Sequence, residues 1–157
     1  MRCTPWFAAA VLSVLSMSVT ACGGDGDGPA GLLNGNSGMS AQIDGENWTA
    51  SETFVYRHES PLMIVMTGRG GGREIQFLVS GPTIGTHVID GDAPESATMT
   101  HGGGGWTAGG AGGSGSITLT AFTESRVAGT FAFTVVPIMG EATGTREVTN
   151  GVFDITY

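Results

Sequence analysis

The sequence predicts an all-β domain, an antiparallel β-sandwich or flattened barrel of about nine strands, over residues 39–157. Three observations carry that prediction. From Met39 onward no stretch keeps an apolar stripe at helical spacing without Gly or Pro inside it. Short β-branched and aromatic runs recur instead, separated by Gly, Pro and Asp. Late in the chain these runs alternate: Val127, Phe131, Phe133 and Val135 oppose Thr130, Ala132 and Thr134, and Ile117, Leu119 and Ala121 oppose Ser116, Thr118 and Thr120. One apolar face and one Thr-rich face mark a sheet covered on one side and solvated on the other.

The expected strands follow in order. Residues 39–44 (MSAQID) open the domain, and 47–57 hold Trp48, placed in the core by its apolar neighbours, and the run Phe54-Val55-Tyr56. The β-branched runs at 61–67 and 73–80 flank Gly68-Arg69-Gly70-Gly71-Gly72-Arg73, expected to be a flexible hairpin connection. That segment only superficially resembles a phosphate-cradling loop, because a strand and not a helix N-terminus follows it. Residues 85–89 and 95–101 come next, joined by a turn at Asp90-Gly91-Asp92. A glycine run containing Trp106 leads to 114–122, then 126–136 and 145–156, the last interrupted by Asn150-Gly151 at a bulge or tight turn.

The first residues have a different character. Met1-Arg2 and the apolar run from Trp6 to Val19 have the organisation of a signal peptide over residues 1–21, too short to span a bilayer. The exit Val19-Thr20-Ala21-Cys22 resembles the bacterial lipobox, in which the Cys receives diacylglycerol and is then N-acylated. Several acyl chains on Cys22 would anchor the chain stably, at about 0.8 kcal/mol per buried methylene. Residues 22–38 form a lipidated, Gly-rich tether of roughly 20–24 Å. Its Asp-Gly-Asp-Gly stretch lacks the downstream acidic ligands of a calcium loop. Gly23 in place of Asp favours the outer membrane over the inner. Cys3 leaves with the signal peptide, so the mature domain has neither thiol nor disulfide, and burial alone must hold it.

Composition narrows the function. The chain has 157 residues, six Arg, no Lys and a formal charge of −8, with a pI near 4.5. That balance argues against nucleic-acid binding, which needs clustered cations. Without lysine there is no Schiff base and no Walker-type phosphate lysine.

Four segments together resemble a family of small bacterial lipoprotein domains of unknown function. They are Ile43-Asp44-Gly45-Glu46-Asn47-Trp48, Gly115-Ser116-Ile117-Thr118-Leu119-Thr120, Gly129-Thr130-Phe131-Ala132-Phe133 and Thr149-Asn150-Gly151-Val152-Phe153. The resemblance spans nearly all of 39–157 and implies a lipoprotein with an all-β domain. It supplies no catalytic residue. His87 departs from it, standing where an aromatic residue is common.

Candidate chemistry is sparse. His58, His87 and His101 show no HxH, HxxxH or HExxH spacing, so no metal and no cofactor is expected; a long-range cluster of His58, His101 and Glu95 is the alternative. Gly112-Gly113-Ser114-Gly115 misses the nucleophile-elbow spacing. No catalytic residue is assigned. The candidate ligand-binding residues are Trp106 and His101, at the glycine run His101–Gly115. Trp106 either plugs one end of the sandwich or stands exposed to stack on a sugar ring.

The expected function is that of a lipid-anchored cell-envelope lipoprotein with a noncatalytic binding or structural role. The alternatives are a carbohydrate-binding module and a small secreted hydrolase. Expected partners are the membrane, through Cys22, and a glycan or envelope protein.

Overall fold

The computed structural model describes residues 38–110 and 112–157; the expected signal peptide, Cys22 and the expected tether up to residue 37 lie outside the described residues. Eleven antiparallel strands form one curled sheet folded into two layers. They are β1 (Gly38–Ile43), β2 (Glu46–Thr49), β3 (Glu52–Glu59), β4 (Leu62–Gly70), β5 (Arg73–Ser80), β6 (Gly85–Ile89), β7 (Ser96–His101), β8 (Gly104–Ala108), β9 (Ser114–Phe122), β10 (Arg126–Gly140) and β11 (Arg146–Thr156). One layer runs β2-β1-β11-β10-β9-β6 and the other β3-β4-β5-β7-β8. The 15-residue β10 belongs to both. Its first part pairs with β11 and β9, and Val136–Gly140 pair with β8.

The all-β expectation holds, with two strands more than nine. Expected strand 47–57 is two strands, because the chain changes layer at Ala50-Ser51. The Ala50 amide donates to Met39 O in one layer and the Ser51 amide to Arg69 O in the other. Strand β8 lies inside the glycine run His101–Gly115, between the expected strands 95–101 and 114–122. Its glycines serve close packing: a Cβ on Gly104 would sit 2.8 Å from both the Ala142 amide nitrogen and the Trp106 ring, and one on Gly105 2.7 Å from Met139 Cγ. Strand β10 passes through Pro137, where the register shifts between Pro137 and Met139; a bulge tolerates the missing amide.

Turns follow local chemistry. Gly71 and Gly72 both have positive φ, so the β4–β5 connection is a two-residue turn and Gly68-Arg69-Gly70 belong to β4. The expected flexible connection is thus corrected to a tight one. Asp44 and Gly45 make the same kind of turn between β1 and β2. Asp90 Oδ1 accepts from the amides of Asp92 and Ala93, closing the expected turn. Asn150, with a φ of 52°, forms the bulge of β11, so that two residues there oppose one on both β1 and β10.

The core lies between the layers. Phe77 of β5 meets Phe131 of β10 and Phe153 of β11, with ring centroids 5.0 and 5.3 Å apart. Phe133 stacks on Phe131 at 5.6 Å. The expected alternation of β10 is realised: Val127, Phe131, Phe133 and Val135 are buried, while Thr130 and Ala132 are exposed.

Gly151 makes this cluster possible, since a Cβ there would stand 2.5 Å from both the Phe131 ring and the Phe131 carbonyl. Gly151→Ala is expected to destabilise the domain by about 1–3 kcal/mol through overpacking. Phe77→Ala is expected to cost about 3–5 kcal/mol. Urea unfolding of both variants with unchanged m-values checks the pair.

Candidate functional site

Both sequence candidates come together at one end of the sandwich. A cleft of about 90 Å³ is lined by Ile43, Asp44, Arg73, Met99, His101, Trp106 and Arg146. Its position follows from the register: His101 stands opposite Arg73 across β5–β7 and opposite Gly104 across β7–β8, and Trp106 opposite Met99. The β1–β2 turn and the start of β11 supply Asp44 and Arg146 from the other layer.

Trp106 is only 4% exposed. Its Nε1 donates to Gly144 O at 2.9 Å, and the Arg146 guanidinium lies 5.3 Å from its ring centroid. The alternative of an exposed, sugar-stacking ring is therefore corrected. Glycine around it admits neighbouring backbone rather than leaving the indole in solvent. His101 is exposed beside it.

Charge closes this end of the core. Arg146 donates to Asp44 Oδ2 at 2.7 Å, and Arg73 to Glu46 Oε2 at 2.9 Å. Burial pushes the Asp44 carboxyl up, but the Glu147 amide, the hydrogen bond from Arg146 and the charges of Arg146 and Arg73 together hold it below 3.8. At the opposite end Arg126 clasps Asp154 through two bonds of 2.8 and 2.7 Å. That hydrogen bonding lowers the Asp154 pKa despite partial burial. With Arg57 on Glu59 and Arg69 on Glu74, each of the five arginines among the described residues is held by a carboxylate.

The remaining candidates are dispersed. His58 Nδ1 donates to Pro61 O at 2.9 Å. His87 Nε2 donates to Thr83 O, and its Nδ1 faces the buried Glu95 at 3.6 Å. The alternative cluster of His58, His101 and Glu95 is not assembled, and no group of three His, Cys, Asp or Glu among the described residues could hold a metal ion. Ser114 stands exposed at the start of β9, opposite Thr134.

A second surface escaped the sequence reading. Phe54 and Tyr56, two apart on β3, are 49% and 62% exposed on the outer face of their layer. Across the strands, Phe54 opposes Thr67 and then Gln76, and Tyr56 opposes Val65 and then Leu78. Gln76 Nε2 donates to Thr67 Oγ1 at 3.1 Å, and the Arg69 guanidinium sits 5.4 Å from the Phe54 ring centroid. Two aromatic rings thus stand on an outer face that is polar beside Phe54 and apolar beside Tyr56. The i, i+2 spacing was the available signal, but Val55 between the rings is apolar too, and the pattern alone does not say which side faces inward.

The chain belongs to a family defined by a domain of unknown function, DUF6252, matched over residues 35–155. No curated protein and no solved structure matches it.

With Trp106 buried, Trp106→Ala is expected to cost about 3–5 kcal/mol, as much as Trp48→Ala, whose indole donates to Gly70 O. Thermal or urea melts of the two variants make the comparison. Asp44 has its pKa lowered by folding, so its contribution is present above 3.8 and lost as pH falls through the lower folded value. The stability gap between the native chain and Asp44→Asn should therefore narrow between about pH 5 and pH 2, as followed by urea titration at each pH.

Proposed function

We propose that this DUF6252 member is a bacterial envelope lipoprotein, anchored through Cys22, whose β-sandwich acts by binding and not by catalysis. The observation that carries the binding role is the exposed Phe54–Tyr56 pair on the outer face of β3. Aromatic rings of this size each bury on the order of 150–250 Å² when covered. Leaving two of them side by side in water has a cost that a bound partner removes. The lipobox at Val19–Cys22 supports the anchoring, and Gly23 supports the outer membrane as its site.

A carbohydrate ligand is the second reading, and it transfers from Trp106 to this face. Ring faces stack on the apolar side of a sugar, while Gln76 and Thr98 place polar side chains alongside. A hydrolase is the competing class.

Cys22→Ser is expected to shift the protein from the membrane to the soluble fraction or leave the precursor uncleaved; normal acylation and fractionation of the variant would overturn the anchor. For the face, Tyr56→Ala and Phe54→Ala should leave the melting temperature within a few degrees of native. The same changes should abolish binding of envelope polysaccharide or protein measured by pull-down and intrinsic fluorescence. Turnover of ester or glycoside substrates that disappears on replacing a histidine or Ser114 would establish the hydrolase instead.

A further inference from the structure

The curled sheet has three edges among the described residues: β2, β6 and β3. Strands β2 and β6 are four and five residues long, short enough to offer little template. Strand β3 differs. It runs eight residues, Glu52-Thr-Phe-Val-Tyr-Arg-His-Glu59, with no Pro, Gly or Lys, and its register with β4 is unbroken. Long aromatic edges of this kind are ordinarily blunted or covered.

The free side of β3 can be assigned. In β4, Leu62 O accepts from Gly81 beyond the end of β5, whereas Arg69 O accepts from Ser51, just before β3. Odd residues of β4 therefore face β3, and under the observed register they meet Glu52, Phe54, Tyr56 and His58. The backbone groups of Thr53, Val55, Arg57 and Glu59 point to the open edge, where the described residues provide no strand.

We infer that this edge pairs with β3 of a second copy of the chain, antiparallel and centred on Val55. In that register Val55 faces its own counterpart through two backbone hydrogen bonds, and Thr53 faces Arg57. The close, non-hydrogen-bonded positions then match twice over by symmetry: Phe54 of each copy lies opposite Tyr56 of the other, and Glu52 opposite His58. Aromatic and opposite-charge cross-strand pairs of this kind stabilise a ladder. His58 already donates through Nδ1 to Pro61 O, so the bond to the carboxylate is made by Nε2–H of the doubly protonated ring. Moving each copy by one residue separates Glu52 from His58 and sets Tyr56 against itself. The charges thus select one register, and the interface is isologous, as a two-fold dimer requires. Four aromatic rings then line one continuous outer face. The pairing is independent of the ligand-binding reading above, because the ring faces stay open to solvent.

The test is photocrosslinking of the full chain in cells, with a benzophenone amino acid at position 56 and, as control, at Thr118 on the other layer. Position 56 is expected to give an adduct of twice the chain mass, and Thr118 none. His58→Glu opposes glutamates at both ends and should reduce that adduct about tenfold. Glu52→Arg combined with His58→Glu exchanges the charges and should restore it, which also shows that the single variant had not merely unfolded. Three results would overturn the proposal: no adduct at position 56, an adduct of another mass (a strand from a different protein), or a double-mass adduct indifferent to both charge variants.

Discussion

Strand β10 is shared by both layers, and the rest of the sheet takes its place from it. Arg126–Val135 run between β9 and β11, and Val136–Gly140 run beside β8. One continuous backbone thereby fixes the distance and angle between the layers without a disulfide. The phenylalanine cluster sits where that constraint places it, with Phe131 and Phe133 brought to Phe77 from the opposite layer. Close approach is purchased at glycine: a Cβ on Gly129 would stand 2.0 Å from Thr118 O, and one on Gly115 2.4 Å from Ala132 O.

The four segments that resemble the family hold structural residues. Ile43 is core, Asp44-Gly45 is the turn and Trp48 is core again. In the later segments Gly129 admits its neighbour strand, Asn150 forms the bulge, and Gly151 and Phe153 complete the aromatic cluster. These residues specify a fold.

The fold was legible in the sequence wherever side chains alternate, as in β9 and β10, because a period of two has a single structural meaning. It was illegible where the chain changes layer at Ala50-Ser51, since both halves of that run are β-forming. Glycine misled the reading in the opposite direction. A run such as Gly102–Gly105 has the composition of a mobile loop, yet only the first two residues turn and the next two are buried strand. Composition cannot separate glycine chosen for φ from glycine chosen for lack of volume. Trp106 followed the same logic and lies in the core. Phe54 and Tyr56 were hidden because a strand apolar on both sides does not disclose its outward face.

Gly38 stands opposite Asp154, and Arg126 opposite Thr156, so the chain enters the sheet at the end where Tyr157 also lies. The Asp44–Arg146 cap is at the far end. Tension reaching the domain through the residues before Gly38 is therefore delivered along β1, an interior strand flanked by β2 and β11. Its cross-strand hydrogen bonds lie perpendicular to that pull. Such a load shears the bonds of the strand together rather than peeling them off singly.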